Sequence, residues 1–269
     1  MSAVTTQLPA SASHWPEYLI EGAALGLFMI SAGIVTTALE YPGSPLHSLL
    51  PDATLRRVLI GLAMGLTAIA LIHSPWGKRS GAHMNPAVTL SFLRLGRIAP
   101  RDALFYVVSQ IAGAASCTLL VRLALGEAFT EAPVHHVTTQ PGPRGAGVAL
   151  LAEFVMAFLM MATVLRVSAS ARLAPYAGLC AGALVAMFIS VEAPLSGMGL
   201  NPARSFASAL SAADFNGLWI YLLAPPAGML AAAELHLRFA PRIACAKLLH
   251  PDEYRCIHCG HSPRERVHP

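Results

Sequence analysis

Long apolar stretches separated by short polar segments dominate the chain. A helix needs about 20 apolar residues to cross a bilayer, and six stretches reach roughly that length. They lie at residues 17–39, 54–73, 101–124, 148–167, 175–193 and 215–239. Two shorter apolar stretches, 85–95 and 201–211, each begin with Asn-Pro, and each would cover only about 16 Å at about 1.5 Å per residue. The pattern predicts an all-α membrane protein with six transmembrane helices and two re-entrant half-helices.

The order of these stretches repeats along the chain. Two spans, a half-helix and a third span occupy residues 17–124, and the same order returns in residues 148–240. The loops before the half-helices also match, because SGAHMNPA (80–87) and SGMGLNPA (196–203) share Ser, Gly, Asn, Pro and Ala in register. Three spans per copy make the copies cross in opposite directions, and such an inverted repeat places a site between them at mid-membrane.

The repeat also sets the domain boundaries. It predicts an N-terminal tail at 1–16, a membrane domain at 17–240 and a C-terminal tail at 241–269. In the second span of each half, small residues recur four apart, as Gly61/Gly65 and Gly178/Gly182. Such pairs predict a close approach of helix backbones.

Composition agrees with a lipid environment. Hydrophobic residues make up 55% of the 269 residues and charged residues only 12%, against about 25% charged in soluble domains. The net charge of +4 is spread along the chain, which gives no sign of a nucleic-acid partner. The spans hold no nucleophile-and-base pair and no catalytic metal set, so we do not expect an enzyme.

The positive residues predict the orientation, because Lys and Arg favour cytoplasmic loops. With both termini in the cytoplasm, 13 of the 18 Lys and Arg residues lie on the cytoplasmic side and four on the other. Arg204 is left out of this count because it is a candidate pore residue within the second half-helix. We expect a multi-pass protein of the plasma (cell inner) membrane.

Asn-Pro suits a helix start, because Asn caps a backbone N–H and Pro loses no hydrogen bond there. Irregular backbone at membrane depth must be buried in protein or line a watery cavity, so we expect a pore between the two starts. Each start adds roughly half a positive charge, which repels cations and protons. The amide N–H groups of Asn85 and Asn201 then face the lumen as donors. Arg204 has Val88 as its counterpart in the first half, and a charge so costly in a membrane predicts a selectivity gate.

The paired Asn-Pro-Ala sequences, the Arg after the second and a Glu in the first helix of each half resemble the aquaporin and glycerol-facilitator (major intrinsic protein) superfamily, over about residues 17–240. The resemblance implies a homotetramer with one pore per subunit. It implies pore-lining roles for Asn85, Asn201, Ala87, Ala203 and His83. It also implies that Glu21 and Glu153 are structural carboxylates that accept hydrogen bonds from the half-helix loops. Proton relay by these two acids is the alternative.

Position-by-position matching to the superfamily also assigns the narrow selectivity filter. The matching residues are Met64, Ile189, Met198 and Arg204, with Gly65 as the alternative to Met64. This set resembles neither the Phe, His, small residue and Arg of strict water channels nor the Trp, Gly, Phe and Arg of glycerol facilitators. The resemblance therefore implies a constriction that is wider and less polar than that of a water channel.

The expected function is passive conduction of water and other small uncharged solutes, with ions and protons excluded. Within the same fold, the alternative is a glycerol or metalloid-acid facilitator. A proton-coupled secondary transporter is the alternative from another class, since inverted repeats and broken helices occur there too. Conduction of this kind requires no cofactor.

The C-terminal tail has a chemistry of its own. Cys256 and Cys259 form a Cys-x-x-Cys sequence, with His250 and His261 nearby. Thiolates and imidazoles are ligands for zinc, so these four residues form a candidate zinc site. A structural zinc site needs four ligands and the sequence has a single Cys-x-x-Cys pair, so a reduced, disordered tail without metal is the alternative.

Overall fold

The computed structural model describes residues 14–240, 243, 245–247, 249 and 254–261, and this part of the chain contains helices and no strands. The helices are α1 (Trp15–Glu40), α2 (Pro45–Leu49), α3 (Ala53–His73), α4 (Pro75–Ser80), α5 (Pro86–Arg94), α6 (Pro100–Leu125), α7 (Glu127–Thr130), α8 (Ala146–Ser168), α9 (Ala177–Ser196), α10 (Pro202–Ala212) and α11 (Leu218–Phe239). Single turns of 3-10 helix lie at His135–Val137 and Ala174–Tyr176.

Among the described residues, six helices are long and apolar enough to cross a membrane, namely α1, α3, α6, α8, α9 with its preceding 3-10 turn, and α11. The helices that begin at the Asn-Pro sequences are short, with 9 residues in α5 and 11 in α10. The predicted all-α class with six spans and two half-helices is confirmed. The chain is a multi-pass membrane protein.

The two halves pack as an inverted pair. Helix α1 packs against α6 in the first half, as α8 packs against α11 in the second, and α3 packs against α9 between the halves. Each half-helix packs mainly on the last span of the other half, α5 on α11 and α10 on α6. The N-termini of α5 and α10 lie next to each other, because Asn85 and Asn201 at their starts are hydrogen-bonded across the two halves.

Small residues allow α3 and α9 to approach closely. A Cβ atom added at Gly65 would lie 2.6 Å from the carbonyl oxygen of Gly182, and one added at Gly182 would lie 2.6 Å from that of Gly65. A Cβ atom at Gly61 would lie 2.6 Å from the carbonyl oxygen of Ala186. The backbones therefore touch where the sequence places small residues four apart.

Both described ends of the membrane domain lie on one side of the bundle, which we call the terminal side. There the guanidinium of Arg79 pairs with Glu17 at the start of α1 (3.0 Å). The hydroxyl of Tyr18 donates to Asp102 at the start of α6 (2.6 Å). The loops 41–52, 126–145 and 213–217 lie on the opposite side.

Candidate functional site

The half-helices begin with Asn side chains that cap their first turns. Oδ1 of Asn85 accepts the backbone N–H of Ala87 (2.8 Å). Oδ1 of Asn201 accepts the N–H groups of Ala203 and Arg204 (3.1 and 3.3 Å). Both Asn residues have extended backbones and are followed by Pro at the first helical position, which is the arrangement that the Asn-Pro sequence favours.

The amide nitrogens of the same Asn side chains reach across the repeat. Nδ2 of Asn85 donates to the carbonyl of Leu200 (2.9 Å), and Nδ2 of Asn201 donates to the carbonyl of Met84 (2.6 Å). Each amide group has two hydrogens, and one of them is used in this contact. The sequence suggested that the amide N–H groups face the lumen, whereas the structure leaves one per side chain.

Glu21 binds the loop before α5 through hydrogen bonds. Its carboxylate is fully buried. It accepts hydrogen bonds from the backbone N–H groups of His83 (3.0 Å) and Met84 (2.7 Å), the hydroxyl of Ser80 (2.7 Å) and the amide of Gln110 (2.8 Å). A buried carboxylate is tolerated when its oxygens are hydrogen-bonded in this way.

Glu153 does the same for the loop before α10. It is fully buried and accepts the N–H groups of Gly199 and Leu200 (both 2.6 Å). The hydroxyl of Ser196 is its third donor (2.6 Å). The two acids thus hold equivalent loops by equivalent bonds, as the superfamily resemblance implies.

Both loops contain residues in a left-handed backbone conformation that only glycine adopts freely. The φ angles are +50° at Ala82, +46° at Met84, +53° at Met198 and +57° at Leu200. Each costs roughly 1–2 kcal/mol, and strain of this kind concentrates at functional sites. The hydrogen bonds to the two buried acids help to offset the cost.

A cavity of about 540 Å³ passes between the half-helices. Along α3 its wall contains Ala53, Arg57, Ile60, Met64, Ala68 and Ile72. These residues form one face of the helix from its first turn to its last, a distance of about 29 Å at about 1.5 Å per residue. The cavity therefore extends over nearly the thickness of a hydrocarbon core, about 30 Å.

The residues assigned to the filter all lie on this cavity wall, together with Asn85, Asn201 and His83. They are Met64, Ile189, Met198 and Arg204. Gly65 is not on the wall, because it faces Gly182 in the contact between α3 and α9. Of the two candidates in the second span, Met64 and Gly65, Met64 is therefore the one on the cavity wall.

Ala87 and Ala203 do not line the cavity, in contrast to the roles that the resemblance implies. They are buried, with 0% and 1% of their surface exposed, while the wall contains the next residues, Val88 and Arg204. A helix turns about 100° per residue, so residues two and three beyond the capping Asn point in different directions. The Ala residues contribute through the backbone N–H groups that Asn caps.

Arg204 has an unusual environment. Its Nη1 atom is buried and has no hydrogen-bond partner among the residues that the structure describes. An unpaired donor of this kind in a cavity wall is available to a solute or to water.

The loop 126–145 contributes to the cavity wall that also contains Arg204. Val137 and Thr138 are on the cavity wall, and Nδ1 of His136 lies 2.9 Å from the hydroxyl of Ser211 in α10. Burial, together with the positive charge of Arg122, lowers the pKa of His136 below its usual value. Packing in this position therefore favours the neutral ring.

Comparisons with known proteins agree with this geometry. Residues 10–236 match the Major intrinsic protein family. The chain belongs to this family. The aquaglyceroporin from Plasmodium falciparum has a similar fold, with a TM-score of 0.68 at 19% identity over 84% of this chain and 97% of that one.

Relatives in sequence carry two kinds of name. Aquaporin NIP1-1 of Arabidopsis thaliana is 36% identical over 180 residues, which are 66% of this chain and 60% of that protein. Glycerol uptake facilitator protein-like 6 of Lactiplantibacillus plantarum is 37% identical over 177 residues, which are 65% of this chain and 81% of that protein. The chain spans about three fifths of the length of the aquaporin NIP1 relatives that it matches. The superfamily resemblance is confirmed.

The tail of this family member differs from the sequence prediction in one important way. Cys256 and Cys259 come together with Cys245, and the three Sγ atoms lie within 4.8 Å of one another. Cys245 is not among the ligands predicted from the sequence, because it lies 11 residues before Cys256 and outside the Cys-x-x-Cys pair. His261 contributes a backbone carbonyl to the turn, and His250 lies outside the described residues.

Two buried tyrosines, Tyr106 and Tyr221, are not among the site residues predicted from the sequence. The hydroxyl of Tyr106 donates to the carbonyl of Ser80 (2.7 Å), and that of Tyr221 donates to the carbonyl of Ser196 (2.5 Å). They occupy equivalent places in the two halves. A comparison of the third spans of the two repeats identifies them once a one-residue gap is allowed, because Tyr106 lies 21 residues after Asn85 and Tyr221 lies 20 residues after Asn201.

Proposed function

We propose that the chain forms a passive transmembrane channel for water and other small uncharged solutes. The observation that carries the proposal is the cavity along the full length of α3, which passes between two opposed half-helix N-termini. Solute moves down its own gradient, and neither a cofactor nor an energy source is required.

Selection against charge follows from the same arrangement. The two half-helix N-termini each bring roughly half a positive charge to the middle of the cavity, and Arg204 adds a permanent one. A cation or proton meets repulsion there, while the remaining amide hydrogens of Asn85 and Asn201 donate to the oxygen of a neutral solute.

The filter favours a range of solutes wider than water alone. Met64, Ile189 and Met198 bring flexible apolar side chains beside Arg204, and thioether chains adapt their shape to what passes. Two of the relatives carry the names aquaporin and glycerol uptake facilitator. Water with a small polyol or an undissociated metalloid acid is the solute class that this filter suits.

Stopped-flow light scattering on proteoliposomes tests the proposal. The wild type should give faster volume changes than empty vesicles under osmotic shock and under glycerol, boric acid or arsenous acid gradients. Ile189→Trp, which fills the cavity, should remove most of the gain, whereas Leu151→Trp should keep it because Leu151 is 64% exposed on the outer face of α8. Equal rates for wild-type and empty vesicles would refute conduction.

Ion exclusion has a separate test. Arg204→Leu removes the charge from the cavity wall, so proton or sodium leak should rise in vesicles loaded with a pH-sensitive or sodium-sensitive dye. Arg144→Leu, at an exposed position in the loop 126–145, is the matched control and should not leak. If the Arg204 variant were as impermeable to protons and sodium as the wild type, the half-helices alone would account for the exclusion of cations.

Proton-coupled transport is the competing function, and the buried acids argue against it. Glu21 and Glu153 accept backbone and side-chain hydrogen bonds on both oxygens, which holds them in a structural role. Uptake that saturates with substrate and collapses with an uncoupler would favour the transporter instead.

Assembly and orientation belong to the same proposal. Large apolar side chains cover the outer faces of the spans, among them Leu19, Leu66, Leu123 and Val191, and lipid or neighbouring subunits of a homotetramer would cover them. We place the terminal side in the cytoplasm of a cell with this protein in its plasma membrane, as the Lys and Arg distribution favours. Chemical crosslinking in membranes and a reporter fused to the C-terminus test these two points.

A further inference from the structure

Three cysteines form a compact sulfur cluster outside the membrane domain. The Sγ atoms of Cys245 and Cys256 are 3.5 Å apart, and all three Sγ atoms, with Cys259, lie within 4.8 Å of one another. Cys245 and Cys256 are buried, whereas Cys259 is exposed. The cluster therefore joins two tail segments, 245–247 and 254–261, that are separate in sequence.

The local backbone is arranged around these sulfurs. The N–H of Gly260 donates to the carbonyl of Cys256 (3.0 Å), and the N–H of Cys256 donates to the carbonyl of His261 (2.8 Å). Gly260 has a φ of +72°, a value that lets the turn close. On the other segment, the N–H of Lys247 donates to Sγ of Cys245 (3.4 Å), and such a donor stabilises negative charge on sulfur.

The spacing fits a metal ion bound by thiolates. Zinc–sulfur bonds are about 2.3 Å long, so sulfurs at the corners of a tetrahedron around zinc lie about 3.8 Å apart. The Cys245–Cys256 separation of 3.5 Å is close to that value. A disulfide needs the sulfurs at about 2.05 Å and would use only two of the three.

The first tail segment lies against the loop before α5. Nε2 of His83 is 3.1 Å from the carbonyl oxygen of Ala246, and since a carbonyl only accepts, the ring nitrogen is the donor. The ammonium of Lys247 donates to the carbonyl of Arg79. Ala246 and Lys247 are 0% and 4% exposed, so both residues are as buried as the core.

The second tail segment contacts the same loop from another direction. The ring of His258 stacks on that of His83, with 6.3 Å between centroids, and its Nε2 lies 3.4 Å from the hydroxyl of Tyr106. The guanidinium of Arg79 lies 4.4 Å from the centre of the Tyr254 ring, a cation–π contact. Both tail segments thus meet at His83, which lies on the cavity wall.

We propose that Cys245, Cys256 and Cys259 bind one thiophilic divalent ion of the Zn²⁺ type, and that this ion clamps the tail onto the loop that carries His83. On binding, each thiol releases its proton to solvent and coordinates as a thiolate. A water molecule or a fourth side chain completes the tetrahedron. The inference goes beyond the proposed conduction and does not depend on it.

Metal content of the purified full-length protein is the first test. Elemental analysis should find about one zinc per chain in the wild type and in Cys180→Ser, whose cysteine lies in α9 away from the cluster. Cys245→Ser and Cys256→Ser should each lose it. Co²⁺ added to metal-free wild type should give the absorption bands of a thiolate-bound ion, and Zn²⁺ should displace them.

The clamp is tested on the wild-type chain, so that failure of a variant to fold does not confuse the result. Trypsin should leave Lys247 uncut in the zinc-loaded protein, cut it after a chelator removes the ion, and leave it uncut again when Zn²⁺ is restored. Cleavage at Arg144, in an exposed loop of the membrane domain, should not change.

Three results would overturn the proposal. They are equal metal content in the wild type and the cluster variants, failure of reduced wild type to take up Zn²⁺ or Co²⁺, and a Cys245–Cys256 disulfide in protein purified under reducing conditions. Solute permeability is measured separately in vesicles, so loss of the clamp and loss of conduction are distinguishable outcomes.

Discussion

Asn85 and Asn201 each donate a side-chain hydrogen bond to the backbone carbonyl that directly precedes the other Asn, at 2.9 and 2.6 Å. The same side chains cap their own helices through Oδ1. Each Asn therefore fixes the start of one half-helix and the end of the opposite loop. The two halves of the chain are locked together at the point where the cavity passes between the half-helices.

This reciprocal lock predicts that the two Asn residues are energetically coupled. Asn85→Ala loses a cap and leaves the carbonyl of Leu200 unpaired, at a combined cost of about 2–4 kcal/mol. Once one bond is lost the junction is loosened, so adding Asn201→Ala should cost less than it does alone. A double-mutant cycle of unfolding in mixed detergent micelles measures this coupling.

The control for that cycle is Asn216→Ala, at an exposed loop position. It should change the unfolding free energy by less than about 0.5 kcal/mol. Strict additivity of the Asn85 and Asn201 substitutions would contradict the reciprocal lock.

Much of the fold could be read from the sequence, because each part depends on a local pattern. The spans follow from the length of apolar stretches, the half-helices from their shortness and the Asn-Pro start, and the inverted pairing from three spans per copy. The contact between Gly65 and Gly182 follows from small residues four apart. Apart from the inverted pairing, which needs a count of the spans in each copy, these signals lie within a few turns of one helix.

The rest depends on how helices rotate and on how distant segments meet. Whether Ala203 or Arg204 faces the cavity is decided by the rotation of α10 about its axis, which packing sets. Cys245 lies beside Cys256 although they are 11 residues apart in sequence. Tyr106 in α6 donates to the carbonyl of Ser80 at the end of α4, 26 residues earlier. No local pattern encodes these contacts.

The buried acids give a prediction that separates structure from proton relay. Glu21→Gln keeps the shape of the side chain, but its amide nitrogen faces the backbone N–H groups as another donor. Hydrogen bonds to a charged group are worth about 1.5–3 kcal/mol each, so the unfolding free energy should fall by several kcal/mol. Glu153→Gln should behave alike, as judged by thermal unfolding in detergent.

Glu234→Gln is the matched control, because Glu234 pairs with Arg94 at an exposed site. Such pairs are worth about 0–1 kcal/mol. A Glu21→Gln protein as stable as the wild type, with altered proton flux, would support the relay instead.

The helix contact between α3 and α9 predicts a sharp size limit. Gly65→Ala places a Cβ atom 2.6 Å from the backbone carbonyl oxygen of Gly182, and overpacking of this kind costs about 1–3 kcal/mol. Gly147→Ala in α8 meets nothing within 4 Å and should be neutral or stabilising by up to about 1 kcal/mol. Thermal unfolding of both variants in one detergent compares them, and equal shifts would show that the backbones do not touch.

The last prediction concerns the effect of pH on the loop 126–145, which lies on the side of the bundle opposite the terminal side. His136 packs against Ser211 and edge-on against Phe129, and the titratable groups that act on it are Arg122 and His135. Burial, and to a lesser extent Arg122 and His135, lower the pKa of His136 below its ordinary value of about 6.5, so packing of the segment favours the neutral ring. As pH falls below about 6.5, the unpacked segment takes up a proton before the packed one does. Packing of this segment is therefore strongest above that pH and weakens on acidification.

Hydrogen exchange of residues 132–138 measures this effect from about pH 8 down to about pH 5, the range in which histidine titrates. After correction for the intrinsic pH dependence, protection should fall toward the acidic end in the wild type. His136→Asn keeps a polar group without a titrating proton, so its protection should be lower and independent of pH. His47→Asn, on the same side in α2, should retain the wild-type profile. A pH dependence that persisted in His136→Asn would contradict this prediction. The segment would then lose its packing at low pH without the His136 imidazole, so another titrating group would have to be responsible.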